Sequence, residues 1–223
     1  QAWLLGLIEA DQYFRINEIG NVRGSTLPAG RALAGGELNA LMQACINDLT
    51  PAGFRDAAII AVMAVAGPRR NELVNLDIND YDPESGALRI LHAKGNKQRI
   101  VYLDNGAAEA LADWLTLRGS QPGALFVPIT KAGKLTYKHL TDQAIYNMLI
   151  KRANQAGVSQ FTPHDLRRTC ITDLLEAKVD ALIVAAIAGH ASTDTTRKYD
   201  RRPEAAKQQA AKMLHISYTR RLE

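Results

Sequence analysis

The sequence is poor in thiols: its 223 residues include two cysteines, Cys45 and Cys170, far apart and in no CxxC unit. That argues against a disulfide framework or a cysteine-based metal site, and makes a reducing cytoplasm the expected setting. It also has no apolar run of membrane-spanning length, no signal-peptide pattern, no internal repeat and no low-complexity stretch, so no membrane partner is expected. There is no carboxylate cluster suited to Mg²⁺ and no His/Cys spacing suited to Zn²⁺, so no metal and no other cofactor is expected. Charge of one sign is nearly balanced by the other, with 27 Lys plus Arg against 23 Asp plus Glu, a net +4. So mild an excess permits a nucleic-acid partner without requiring one. What is present is ordinary globular composition, 47% hydrophobic and 22% charged. That is enough for one domain with a sizeable core, or for one domain plus a fragment of a second, were the chain trimmed upstream of Gln1.

Periodicity predicts a mainly helical α+β chain. Trp3, Leu4, Leu7, Ile8 and Tyr13 form the apolar side of a short helical piece, and residues 18–36, rich in Gly, read as a linker carrying Arg23 and Arg31. From Glu37, the residues Leu38, Leu41, Met42, Cys45, Ile46 and Leu49 fall on one helical stripe. Thr50-Pro51 caps and opens a second helix that Gly67 can end, and Pro68 can open another bearing Arg69, Arg70, Glu72 and Leu73. A hairpin follows: a strand over Ala87–His92, a tight turn at Lys94–Lys97 and a return strand over Gln98–Leu103, with a third strand near Ile78–Tyr81. Asn105 is the expected cap of the next helix, Thr141 of one ending at Gly157, and Asp180 of an apolar one closed by Gly189-His190. Ser192 caps a short helix leading to Tyr199, and Pro203 begins a last amphipathic helix.

Thr162-Pro163-His164-Asp165-Leu166-Arg167-Arg168 stands apart. Thr162 caps a helix, Pro163 fits its first position and Asp165 sits where a capping-box acid belongs. His164 and Arg167 then share one face of the first two turns, beside the positive helix end, which suits a phosphate. Taken alone, the stretch reads better as a capped surface helix with one solvated arginine.

Other polar residues change that balance. Gly67-Pro68-Arg69-Arg70-Asn71-Glu72-Leu73, then Ala93-Lys94-Gly95-Asn96-Lys97-Gln98-Arg99, then His164 to Thr169, then Ala188-Gly189-His190 through to Tyr199, stand in register. Over roughly Leu27 to the C-terminus this order resembles the catalytic domain of the tyrosine recombinases, the phage integrase family. Pro68 and Ala188 depart from its usual aliphatic residues; no functional position is substituted.

The resemblance implies a helical catalytic domain with a small antiparallel three-stranded sheet at residues 37–202. Residues 1–17 would be the end of a truncated core-binding domain, 18–36 the interdomain linker, and 203–223 a C-terminal helix and tail. It implies a catalytic set of Arg69, Lys94, His164, Arg167, His190 and Tyr199. In that set Tyr199 is the nucleophile, His164 its base, Lys94 the acid for the leaving 5′ oxygen, and Arg69, Arg167 and His190 the donors to the phosphate. Glu72 is expected to buttress Arg69. Lys97, Arg99, Lys134, Lys138, Arg168, Arg197 and Lys198 are candidate DNA contacts. The implied activity is site-specific recombination or integration through a 3′-phosphotyrosyl intermediate. The implied partners are double-stranded DNA and, through the C-terminal helix, further copies of the chain, dimer to tetramer, at a cytoplasmic, nucleoid-associated location; folding of that helix back onto its own domain stays open. A topoisomerase IB-like cleavage module and a non-catalytic helical DNA-binding regulator stay open as alternatives.

Overall fold

The computed structural model describes residues 3–18, 30–91, 98–190 and 195–196. In chain order the elements are α1 (Ala10–Glu18), α2 (Gly35–Ile46), α3 (Pro51–Ala66), α4 (Arg70–Val74), β1 (Tyr81–Asp82), β2 (Ala87–Ile90), β3 (Arg99–Tyr102), α5 (Asn105–Arg118), α6 (Asp142–Ala156), α7 (Pro163–Glu176) and α8 (Ala181–Ala188). The expected mainly helical α+β class is the one observed.

Helix α3 is apolar on nearly all sides, and a helix of that kind must lie inside. Ala58, Ile59, Ile60, Val62 and Met63 are fully buried, and α3 packs against α2, α5 and α7. Its one acid, Asp56, is compensated where it is buried: Arg55 meets it at 2.7 Å and Arg152 of α6 at 2.7 Å, with Arg152 also reaching Asp48 at 2.8 Å. That network ties α6 to the start of α3. On α5, the buried Trp114 donates its indole N–H to the Leu125 carbonyl at 2.9 Å, and Arg118 gathers the carbonyls of Gly119, Gln121, Gly123 and Ala124.

The sheet is antiparallel in the order β1-β2-β3, with Tyr81 opposite Leu88, Leu88 opposite Val101 and Ile90 opposite Arg99. Leu88, Ile90 and Val101 face the core, while Arg89, Ile100 and Tyr102 face out, the alternation of a one-sided sheet.

Several boundaries differ from expectation. Helix α2 begins at Gly35, inside the expected linker, because Glu37 accepts the Ala34 amide at 3.0 Å and fixes the start there. Its stripe stops early: Ile46 and Leu49 are exposed, since α2 ends at Ile46 and Asp48 turns to Thr50 and Arg152. The expected third strand near Ile78 is a tight 3₁₀ turn over Ile78–Asp80, closed by Asp80 accepting the Asp77 amide at 2.9 Å, and pairing begins at Tyr81. Asp104, not Asn105, caps α5, its carboxylate accepting the Asn105 amide at 2.8 Å. Asn105 itself is the first helical residue. The helices expected after Ser192 and Pro203 lie outside the described residues, apart from Thr195 and Thr196.

Candidate active site

Helix α7 starts as its sequence demands. The Asp165 carboxylate accepts the Thr162 amide at 2.9 Å and the Thr162 hydroxyl at 2.8 Å, and Pro163 occupies the first turn. This fixes the next turn, from which Arg167 points inward and is 3% exposed. Arg167 donates to the Gly67 carbonyl at the end of α3 and to the Ala188 carbonyl at the end of α8.

Arg69 arrives from the short connection between α3 and α4. It is extended at the cap of α4, so its amide bonds Glu72 at 2.8 Å while its guanidinium meets the same carboxylate at 2.7 Å. Its other terminal nitrogen donates to the Gly189 carbonyl at 3.0 Å. Glu72 therefore buttresses Arg69 as expected, and it takes Arg99 as well, at 2.7 Å. Burial alone would raise the Glu72 pKa, but the hydrogen bonds from Arg99 and from the Arg69 amide and guanidinium hold it at about 2.

Arg99 completes a pattern. Its Nε donates to the Ile187 carbonyl at 2.8 Å, so three successive carbonyls at the end of α8, those of Ile187, Ala188 and Gly189, each accept from a different arginine: Arg99 of β3, Arg167 of α7 and Arg69 beside α4. These are the carbonyls a helix end leaves without intrahelical partners, at its negative pole. Gly189 has φ +65°, and a Cβ there would lie 2.7 Å from a terminal nitrogen of Arg99, so glycine is needed both to end α8 and to let that arginine close.

His190 follows directly, its Nδ1 2.8 Å from the Thr196 hydroxyl. Burial first, then the charges of Arg167, Arg69 and Arg99, push its pKa down to about 4. The same causes in milder form, burial and then Arg168 and Arg167, lower the pKa of His164. Both imidazoles are therefore neutral near pH 7 and able to accept or donate through either nitrogen. His164, Arg69 and Arg167 line an open pocket of about 300 Å³, walled also by Pro68, Arg70 and Tyr146. Arg69 and Arg99 share the Glu72 carboxylate, and both reach the end of α8 together with Arg167, so three guanidinium groups gather where an anion with several oxygens would be suited.

Four of the six expected catalytic residues, Arg69, His164, Arg167 and His190, thus converge. Lys94 and Tyr199 lie outside the described residues, as do Lys97, Arg197 and Lys198. Of the candidate DNA contacts that are described, Lys134 and Lys138 are exposed on the loop before α6. Arg99 and Arg168 are turned inward, Arg99 to Glu72 and Ile187 and Arg168 to within 4.0 Å of Asp165. Arg31, a candidate backbone contact by sequence, is held by Glu37 and Ser159. Tyr146 also belongs to the pocket wall, and nothing local in its helix marks it. The inward turn of Arg99 is readable from sequence: it sits two residues before the buried Val101, on the same face of β3.

The sequence model of the phage integrase family matches residues 31–205. The chain belongs to the phage integrase family. Among the relatives of this phage integrase chain, tyrosine recombinase XerC of Haemophilus ducreyi is 37% identical over 153 residues, covering 67% of this chain and 48% of that protein. XerC of Corynebacterium glutamicum is 33% identical over 149 residues, covering 66% and 46%. The chain spans about half the length of these curated relatives. Among solved structures, the phage integrase chain is similar to XerA recombinase, at 28% identity with a TM-score of 0.66 over 91% of this chain and 69% of that one. It is equally similar in fold to XerH site-specific recombinase in a post-cleavage complex with palindromic difH substrate, at 27% identity and TM-score 0.66, covering 87% and 56%.

Proposed function

We propose that this chain is the catalytic part of a site-specific DNA recombinase that cleaves and rejoins strands through a 3′-phosphotyrosyl intermediate on Tyr199. The observation that carries this is the convergence of Arg69, His164 and Arg167 on one pocket, with His190 close enough to feel the charge of all three, from motifs far apart in the chain. Membership of the family, and relatives named as tyrosine recombinases, support it.

In this scheme the scissile phosphate sits between Arg69 and Arg167, whose planar forks match its non-bridging oxygens and stabilise the charge that builds there. The Tyr199 oxygen attacks phosphorus as His164 takes the phenolic proton. The P–O bond to the 5′ oxygen breaks, and Lys94 gives that oxygen a proton. An unperturbed phenol has a pKa of about 10, so the base and the surrounding cations are both needed. The covalent bond conserves the energy of the phosphodiester, and the reverse attack by a 5′ hydroxyl rejoins a strand. His190 donates to the same phosphate.

Double-stranded DNA is the substrate, and Lys97, Lys134, Lys138, Arg197 and Lys198 contribute backbone contacts. Residues 37–202 form the catalytic domain, 1–17 the end of a core-binding domain and 18–36 the linker. Residues 203–223 join copies of the chain on DNA, dimer to tetramer. The work is done on DNA in the cytoplasm, at the nucleoid; among the described residues no helix is long and apolar enough to cross a membrane.

The test is covalent capture. A pool of duplexes with randomised centres, nicked so that the cleaved end diffuses away, is incubated with the full chain in EDTA. A protease-sensitive protein–DNA band is expected with the wild type and not with Tyr199→Phe; an equal band from both would reject the assignment.

A further inference from the structure

The backbone that enters α2 is fastened to the helix carrying His164 and Arg167. The Arg31 amide donates to Asp165 Oδ1 at 2.9 Å, and the Leu33 amide donates to the Thr169 hydroxyl at 2.8 Å. Asp165 and Thr169 are four residues apart, so they stack on one face of α7, and alternate amides of an extended segment reach both. Thr169 in turn donates to the Asp165 carbonyl at 2.8 Å.

Asp165 divides its carboxylate. One oxygen holds the first turn of α7 through Thr162, and the other holds Arg31. The carboxyl is held below its ordinary pKa although burial opposes that, because Thr162 and Arg31 donate to it. The far end of the segment is anchored as well: the Arg31 guanidinium meets Glu37 at 2.5 and 2.8 Å and the Ser159 carbonyl at 3.1 Å. Gly30 has φ +91°, and a Cβ there would fall 2.2 Å from Asp165 Oδ1, so the backbone passes against the carboxylate at a distance only glycine allows.

We infer that residues 30–34 are a strap that sets the position of His164 and Arg167, with Asp165 and Thr169 as positioning residues for the cleavage step. The inference rests on the proposed function of that site. The strap has a direct route to the chemistry: Asp165 lies between His164 and Arg167 in the first turns of α7, so whatever moves the strap moves both groups together. A displacement of about 1 Å in such groups can cost on the order of 100-fold in rate. Anything upstream that shifts the chain at Gly30 is thereby felt at the phosphate.

Gly30→Ala tests the strap from its own side and Thr169→Val from the helix side, both in the full chain. The readouts are single-turnover cleavage of a nicked duplex taken from the randomised pool, its half-saturating concentration, and the His164 imidazole resonances of the free protein. Expected are a cleavage rate at saturating DNA reduced at least 10-fold, half-saturation within about twofold of wild type, and displaced His164 resonances in both variants. Wild-type cleavage rates in both, or unmoved His164 resonances, would overturn the strap. A rate loss that arises wholly from weakened half-saturation would overturn it too. Tyr199→Phe and Arg167→Ala run alongside: if they cleave like wild type, the proposed function fails, and the strap's role in cleavage with it. If they are inactive while the strap variants are unimpaired, only the strap is rejected.

Discussion

Glu72 holds Arg69 twice, accepting the backbone amide at 2.8 Å with one oxygen and the guanidinium at 2.7 Å with the other. The oxygen that takes the amide also takes Arg99. One buried carboxylate thus places the arginine proposed to bind the phosphate and offsets part of the positive charge gathered around it.

Removing that carboxylate should be costly. Glu72→Ala leaves two arginines around a buried gap, and a stability decrease of about 3–5 kcal/mol is expected, as for other broken buried pairs. Urea unfolding at pH 7 measures it.

The same pair predicts acid sensitivity with a definite sign. Glu72 is held at about 2 when folded, against 4.5 ordinarily. Its contribution, on the order of 3 kcal/mol, is fully present above pH 4.5 and is lost as the pH falls towards 2. His190, held at about 4 against 6.5, also favours the folded state less as the pH drops, because unfolding lets it take up a proton. Glu72→Gln should flatten the lower limb of the stability curve, between pH 4.5 and 2, and leave the limb between 6.5 and 4 in place.

For cleavage, the lowered pKa of His164 keeps its imidazole unprotonated to below pH 6.5. The acid limb of a single-turnover pH–rate profile is therefore expected below 6.5, and His164→Gln should slow the reaction and remove that limb.

Arginine geometry separates charge from shape. Arg69→Lys keeps the cation but loses the fork that spans Glu72 and Gly189. A barrier increase of about 2.7–4 kcal/mol is expected, on the scale of a lost oxyanion donor, with DNA half-saturation little changed.

The exposed lysines should behave oppositely. Lys134→Ala and Lys138→Ala are expected to weaken DNA binding and to reduce its salt dependence by about 0.9 in log–log slope for each phosphate no longer neutralised, with cleavage at saturation unaffected. Arg99→Ala, by contrast, removes a partner from Glu72 and from Ile187 and should lower stability first.

Much of the fold is legible where the signal is local. The starts at Thr141 and Asp180, the stops at Gly157 and Gly189, and the Thr162–Asp165 box are each written within a few residues, and the structure follows them. The exposure of Leu49 is not legible, because it follows from Asp48 turning to Arg152, 104 residues away. Nor is the strap, since Arg31 and Asp165 are 134 residues apart and no periodicity links them. Arg99 misleads for a different reason: it sits in a run of basic residues that reads as surface, while the alternation of β3 turns it inward beside Val101. The roles of Lys94 and Tyr199 rest on motif and order alone.

The most direct measurement is the site of covalent attachment. Trapped protein–DNA complex is digested with trypsin and nuclease, and the modified peptide is sequenced by mass spectrometry. A nucleoside 3′-phosphate on Tyr199 is the predicted result; attachment to another residue, or through a 5′-phosphate, would contradict it.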